Sequence, residues 1–483
     1  MYDGAMMNLQ IESYLYEELA NKIAGLIEKR TFLPGEKVPS VRRLSVQEKV
    51  SISTVLQAYV LLEDRGLIEA RPQSGYYVRL QRRMLPPEPV TSKPSLSATR
   101  VNVSELVASI HDAINRPDMV PFGAATPSPA LLPIRKLNRI LAGIARESDG
   151  EEHSYGMVQG SEELRHQIAR RSIDWGCSFS SHDVVITFGC TEAINLCLRA
   201  VAEPGDTIAV ESPTYYGFLQ IIESLKMKAL EIPTHPRDGI CVEALEQAIH
   251  KKLVKACLVQ SNFNNPLGSR MPDGKKKQLV ELLAEAEIPL IEDDIYGELY
   301  FGTDRPKVCK SFDKKELVLL CSSYSKCLSP GYRVGWSAPG RFIDRVRRLK
   351  LMNTLSCVLP TQIAIAEMLR TGGYDHHMRK IRRAYAYQVQ KVSEAIGRSF
   401  PEGTRVTRPQ GGFVLWVGLP GSVDSLELYR KALEAKISIA PGSLFSPKQN
   451  YRNFIRINCA HPWNDKIDQA ISTLGRLVYE SAV

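Results

Sequence analysis

Several things are scarce in this sequence, and each scarcity closes a class of function. No run of about 18 apolar residues occurs, so no membrane-spanning helix is expected. Met1–Asn8 lacks a basic stretch followed by an apolar run, so no secretory leader is expected, and the expected location is cytoplasmic. Cysteine is missing from the first 176 residues, and the ten cysteines that follow include no Cys-x-x-Cys pair. A disulfide framework and a zinc knuckle are therefore not expected. The nine histidines show no metal-ligand spacing, so no metal is expected either. Charge is not strongly of one sign: 62 Lys and Arg stand against 53 Asp and Glu, leaving +9. That excess permits an anionic partner without requiring one.

What is there is a globular composition, 44% hydrophobic and 24% charged, over 483 residues. This length corresponds to roughly two to four domains. The expected division is a small domain over 9–80, a linker over 81–100, and a large domain over 101–483. The last is expected to have a major part at about 120–370 and a minor part at about 371–483 joined by 101–119.

In the small domain, Leu15, Leu19, Ile23 and Leu26 recur at helical spacing within Tyr14–Lys29. Phe32-Leu33-Pro34-Gly35-Glu36 breaks that helix. Ser40 is a candidate N-cap for a second helix. Ser53 is the candidate cap of a third, which buries Val55, Ala58, Tyr59 and Leu62 and runs to about Arg65, with Gly66 at its C′ position. Leu67–Ala70 and Tyr76–Val78 read as two short strands around the tip Arg71-Pro72-Gln73-Ser74-Gly75. Three helices and a hairpin in this span suggest a winged helix-turn-helix.

Composition then shifts: Pro86, Pro87, Pro89 and Pro94 stand among Ser, Thr, Arg and Lys, which reads as a partly extended linker. Beyond it, short apolar runs alternate with helical segments. The runs are Val184–Thr187, Thr207–Val210, Ala256–Val259, Pro289–Ile291 and Leu317–Leu320. This is the α/β pattern of a mostly parallel sheet covered by helices. Later runs at Gly412–Val417 and Phe454–Ile457 fit a smaller α+β part. The basic clusters Arg341, Arg345, Arg347, Arg348, Lys350 and Arg379–Arg383 have helical spacing and read as solvated helix faces.

The residues Leu33–Arg42, Thr54–Ala58, Gly66-Leu67-Ile68 and Arg71–Val78 resemble the GntR family of bacterial regulators. The resemblance implies binding to a double-stranded DNA operator, with the third helix in the major groove. Arg42, Lys49, Arg65 and Arg71 would meet phosphates or base edges and release counterions. Ser51, Ser53 and Thr54 would donate to phosphate at a helix N-terminus. Gly75 would allow a tight wing turn or close approach to DNA. One departure stands out: many members carry arginines on the recognition helix where this chain has Ile52 and Leu56. Base preference should therefore differ, with Ile52 free to touch a thymine methyl.

Ser322-Ser323-Tyr324-Ser325-Lys326, followed by Pro330–Trp336, resembles the lysine motif of fold-type I aminotransferases. These are pyridoxal-phosphate enzymes with a large domain built on a seven-stranded sheet. The resemblance makes Lys326 the amine that forms an aldimine with the cofactor, and Ser323, Ser325 and Arg333 its phosphate ligands. In Ile291–Tyr296, Asp293 would keep the ring nitrogen protonated, with Asp294 able to exchange roles on a one-residue shift or to serve as a helix cap. Tyr296 would donate to the ring hydroxyl. Asn265, in Asn264-Asn265-Pro266-Leu267-Gly268, would bond the ring oxygen; Leu267 stands where a threonine is usual. Cys190 and Thr191 would form the phosphate cup at a helix start. Tyr215 is chosen to stack on the ring, leaving Tyr216 to core packing. Arg456 would grip a substrate α-carboxylate, and Tyr155, in Ser154-Tyr155-Gly156, would reach a neighbouring subunit's phosphate.

The domain order resembles the MocR group of GntR regulators over nearly the whole chain. Val120–Gly123, Glu298–Gly302 and Leu351–Ser356 resemble the YdcR type within it. The group implies a head-to-tail homodimer and an effector that is pyridoxal phosphate or an amino compound joined to it. A transaminase carrying a DNA-binding module is the alternative, since the residues needed for turnover are present.

Overall fold

In the computed structural model of the chain, the described residues are 15–28, 31–32, 35–65, 67–71, 74–78, 85–108, 116, 118–147, 150 and 155–482. The chain divides between 84 and 85 into two compact units.

The first unit contains α1 (Leu15–Glu28), α2 (Val41–Glu48), α3 (Ile52–Asp64), β1 (Ile68–Arg71) and β2 (Gly75–Val78). Val55, Ala58, Tyr59 and Leu62 of α3 are fully buried, as their spacing requires. They pack with Leu19, Ala20 and Ile23 of α1 and with Val38, Leu44, Ile68 and Val78. Leu15 departs from the expected stripe: it is 58% exposed, because the core begins one turn later at Leu19. The cap of α3 is Ser51 rather than Ser53. The helix starts at Ile52, and Ser51, with an extended ψ of 153°, accepts the N–H of Thr54 at 3.0 Å. Ser40 caps α2 by accepting the N–H of Arg43 at 3.3 Å. β1 and β2 pair antiparallel from Ile68↔Val78 to Arg71↔Gly75, and Lys37 bridges to Tyr77. Gly75 has φ +104°, and a Cβ there would sit 3.1 Å from Lys37 Cε, so the wing needs glycine at this turn. The expected helix ends at Tyr14 and Lys29, and Leu33, Pro34, Gly66, Pro72 and Gln73, lie outside the described residues.

The second unit is built on a sheet of nine strands among the described residues. Edge to edge these are Thr99–Arg100, Lys228–His235, Thr207–Ser212, Ala256–Val259, Leu290–Asp293, Val318–Ser323, Gly335–Ala338 and Val185–Thr187, with Gly239–Ile240 paired to Lys228–His235. From Lys228–His235 to Val318–Ser323 the pairing is parallel, and Gly335–Ala338 runs antiparallel to both of its neighbours. Seven strands match the number the aminotransferase resemblance implies; five of them are the apolar runs, and Lys228–His235 and Gly335–Ala338 are the two the runs did not include. The two added strands have two residues each, too short to show a period. Because helices cover both faces, the central runs are buried at every position, as in Ala256–Val259.

The proline-rich stretch is not a free tether from 85 onward. Ser92 N–H donates to Thr234 O at 3.3 Å, Val406 N–H donates to Pro87 O at 2.9 Å, and Thr99–Arg100 joins the sheet edge. Proline cannot donate, but its carbonyl still accepts. A second, antiparallel sheet of Arg405–Val406, Val414–Gly418, Phe454–Asn458 and Ala440–Pro441 packs with the helices Gly373–Ser399, Ser425–Glu434 and Asp465–Ala482.

The basic cluster on helix Ile343–Thr354 is only partly solvated. Arg341 and Arg345 make surface ion pairs with Glu287 and Glu203, but Lys350 is fully buried, 3.4 Å from Glu192 and 3.1 Å from Thr354 Oγ1. Among the described residues no helix is long and apolar enough to cross a membrane, and no group of side chains has metal-holding geometry.

Candidate active site and nucleic-acid interface

The carboxyl ends of parallel strands are where an open α/β sheet leaves room for ligands. A cavity of about 630 Å³ lies there. Nine of the expected residues line it: Cys190, Thr191, Tyr215, Asn265, Asp293, Tyr296, Ser325, Lys326 and Arg333.

Asp293 ends the strand Leu290–Asp293 and is buried. Its Oδ1 accepts from the Cys190 thiol at 3.2 Å and from Ile295 N–H at 3.0 Å, and its Oδ2 accepts from Gln260 Nε2 at 2.8 Å. Burial pushes its carboxyl up to about 6, with these donors opposing. Asp294 faces elsewhere: it pairs with the buried Arg305 and accepts from Asn262 Nδ2 at 2.8 Å. The two neighbours on one strand end point to opposite sides, which removes the ambiguity between them.

Lys326 follows the strand Val318–Ser323 and is half-buried, its Nζ donating to Ala125 O at 2.7 Å. Burial, then the nearby Arg456 charge, pulls its amine down to about 8, and Asp293 opposes this. Tyr296 is buried, and burial raises its hydroxyl pKa while Arg456 and a hydrogen bond with Asn265 work against it.

Arg456 is fully buried and does not line the cavity directly. Its Nη1 donates to Asn265 Oδ1 at 3.3 Å, another nitrogen donates to Gly123 O, and its Nε has no hydrogen-bond partner among the described residues. Ser323 also stays out of the cavity. Its hydroxyl donates to Val334 O at 2.9 Å and accepts from Ser325 N–H at 3.1 Å, so it holds the lysine turn rather than facing a ligand. Cys190 sends its thiol to Asp293, which leaves the first-turn N–H groups of helix Gly189–Val201 as the anion donors there. Arg333 is exposed at the rim, with Nη2 donating to Phe188 O at 3.2 Å. Tyr216 lines the cavity as well as Tyr215, the rings 4.8 Å apart, so neither is purely core. Tyr155 lies outside its own chain's cavity, 87% exposed, and Ser154 before it lies outside the described residues.

Three supports escaped the sequence reading. Gln260, just past the strand Ala256–Val259, donates to Asp293 and accepts the Asn265 N–H at 2.9 Å, so it joins two cavity loops. Its place at a strand's carboxyl end was the available signal. Glu211 accepts from Gln260 N–H at 2.8 Å and Asn264 Nδ2 at 2.7 Å, and burial pushes its carboxyl up to about 7. Glu192 accepts the Phe188 N–H at 2.7 Å and is braced by Lys350 and Thr354, which fixes the turn before Gly189.

In the first unit, Arg42, Ser51 and Ser53 are exposed, and Thr54 is half-buried. Ser51 Oγ lies 2.7 Å from both Ser53 Oγ and Thr54 Oγ1. Lys49 is exposed at the left-handed C-cap of α2. Two expected phosphate contacts already have protein partners. Arg71 donates to Glu69 Oε1 at 2.9 Å and lies 4.3 Å from the Tyr77 ring centre, and Arg65 donates to Asn21 Oδ1 at 2.6 Å.

Residues 15–78 match the model of the bacterial regulatory proteins of the gntR family, and residues 128–474 match aminotransferase class I and II. The chain is 41% identical over 465 residues to the uncharacterized HTH-type transcriptional regulator YdcR of Escherichia coli (strain K12), spanning 96% of this chain and 99% of that one. A crystal structure of Pyrococcus horikoshii kynurenine aminotransferase, in complex with PMP, superposes with a TM-score of 0.73 at 28% identity, over 78% of this chain and 95% of that one. LysN, the α-aminoadipate aminotransferase of Thermus thermophilus, complexed with N-(5'-phosphopyridoxyl)-L-leucine, gives a TM-score of 0.71 at 26% identity, over 79% and 99%. The chain thus belongs to the aminotransferase class I and II family through its large domain, and as a whole it is a GntR-type DNA-binding regulator fused to an aminotransferase-like domain.

Proposed function

We propose that this regulator holds pyridoxal phosphate in the 630 Å³ cavity and answers to the cofactor, or to an amino compound joined to it, by changing how it binds its operator. The observation that carries this reading is the convergence of Lys326, Asp293, Asn265 and Tyr296 on one cavity, in a chain that also carries a GntR-type domain. The domain order is that of the MocR group, and action on operator DNA makes the cytoplasm its place of work.

The donor set fits the cofactor. When bound, pyridoxal phosphate supplies an aldehyde that condenses with amines and a ring that withdraws electrons. Lys326, its amine pulled down to about 8, is substantially neutral near that pH and so nucleophilic. Asp293 sits where it would hold a proton on the ring nitrogen, and a carboxyl already reluctant to ionise shares a proton readily. Tyr296 and Asn265 would bond the ring oxygen, and Tyr215 would stack on the ring. Ser325, Arg333, Thr191 and the N–H groups at Cys190 would hold the phosphate. Arg456, with a buried Nε still unsatisfied among the described residues, would take a carboxylate. The exposed Tyr155 would reach the phosphate of a second copy in a head-to-tail homodimer. An effector shifts DNA binding only by favouring one of two states over the other.

Absorption spectroscopy tests the cofactor reading. Purified protein should show a visible band that borohydride fixes covalently, and the Lys326→Ala variant should lack it. No band after adding pyridoxal phosphate would refute the reading. Identical operator footprints with and without effector would refute regulation through the cavity. The depressed Lys326 pKa also favours a second reading, transamination. In that case an amino donor would yield keto acid and the amine form of the cofactor, whereas binding alone would shift the band and yield none.

A further inference from the structure

We propose that α3 reads A·T pairs, with Ile52 and Leu56 packing on thymine methyls and Gln57 pairing with adenine. This rests on the DNA-binding reading of residues 15–78 and states which bases that domain selects.

The segment from Val50 to Asp64 contains no Arg, Lys, His or Asn. It therefore carries no bidentate donor for the O6 and N7 acceptors of guanine. Its exposed residues are Ser51, Ile52, Ser53, Leu56, Gln57 and Val60, with Asp64 exposed only at the far, C-terminal end. Ile52, Leu56 and Val60 are 50%, 40% and 51% exposed and recur every four residues, so they form one ridge. The fold does not need that ridge, because Val55, Ala58, Tyr59 and Leu62 anchor the opposite face. Single exposed apolar residues are ordinary. A whole ridge of them on a helix without a cation gains most from an apolar partner. In the major groove that partner is the thymine C5 methyl, whereas guanine and cytosine edges would lose water without gaining a bond. Ile52 and Leu56 stand about 6 Å apart along the helix axis, which spans roughly two base steps. They occupy the N-terminal part of the helix, the part that meets base edges.

The remaining polar groups sharpen the choice. Ser53 Oγ is already 2.7 Å from Ser51 Oγ. Gln57 has no such partner among the described residues, and its amide matches adenine N6 and N7. Lys49 is exposed three residues before the start of α3, and Arg42 and Arg43 are exposed in the first turn of α2, which gives the domain cations for phosphates beside a helix that carries none.

The test is selection from a random duplex pool with the full-length protein loaded with pyridoxal phosphate. The winning half-sites should carry thymines and an adenine at their centres and no obligatory guanine. Replacing those thymines with deoxyuracil, which lacks only the methyl, should weaken binding about fourfold per contacted base. Gln57→Ala should relax the adenine preference by about tenfold. Leu56→Arg, an exposed change that spares the core, should move one position from thymine to guanine. Half-sites that pivot on G·C, or unchanged affinity for deoxyuracil sites, would overturn the proposal. So would a Leu56→Arg variant that alters self-association but not base choice, since the ridge would then be a protein contact. Failure to bind any duplex would instead refute the DNA-binding reading itself.

Discussion

The two units put their chemistry in opposite places. In the winged helix, the side chains that would meet a ligand are exposed, Thr54 excepted, and several of them, Arg42, Ile52 and Gln57 among them, take no part in the core. Around the cavity, apart from Thr191 and Arg333 at the rim, the ligand-facing groups are buried or half-buried, and several are bonded to one another. Asp293 alone accepts from Cys190, Gln260 and Ile295. A surface that recognises by exposed groups can be altered with little effect on the fold. A buried network couples binding to stability, because removing one member strands another without water.

The largest break in this contrast is expected at Gln260. In Gln260→Leu, Asp293 Oδ2 and Asn265 N–H both lose a partner. Stability should fall by about 1–3 kcal/mol in urea melts, and cofactor affinity by about tenfold. A variant with unchanged stability and affinity would show that the bridge is dispensable.

pH should separate the units next. The folded Lys326 loses its proton near pH 8, well below its ordinary value. Above that point the unfolded chain binds more protons than the folded one, so this group's contribution to stability rises with pH from about 8 toward about 10.4. Because only the neutral amine captures an aldehyde, the rate of cofactor uptake should climb about tenfold per pH unit below 8 and level off above it. Stopped-flow absorbance reads this directly. A flat profile from about pH 6 to about pH 9 would contradict the depressed amine.

Ser51→Ala should cost the winged helix about 1 kcal/mol by removing the cap of α3, leaving the cofactor spectrum untouched. Ser53→Ala should cost less than this, since Ser53 does not cap. Equal losses would put the cap back in doubt.

Arg71→Ala should have the smallest effect. Its exposed pair with Glu69 is worth about 0–1 kcal/mol at most, and the salt dependence of DNA binding should lose about one unit of slope. An unchanged slope would show that Glu69 keeps Arg71 from the phosphates.

Much is legible from local pattern. The four buried positions of α3, the apolar runs of the sheet and the strand-end motif at Asp293 depend on neighbours within a few residues, where periodicity operates. Ser51 escapes notice as a cap because Ser51 and Ser53 both precede the same helix, and only the backbone shows which one lies outside it. Ser323 reads as a ligand because the motif carries three serines, and nothing in the order of residues tells which hydroxyl is already taken by Val334 O.

By itself, then, the sequence determined the two domain types, the lysine, the strand-end aspartate and a recognition helix without arginine. Only tertiary structure decided that Gln260 serves Asp293 across 33 positions, that Lys350 lies 3.4 Å from Glu192 across 158, and that Arg456 reaches Asn265 across 191. Such pairings leave no periodic trace, because what joins the partners is the order of strands in the sheet rather than their distance along the chain.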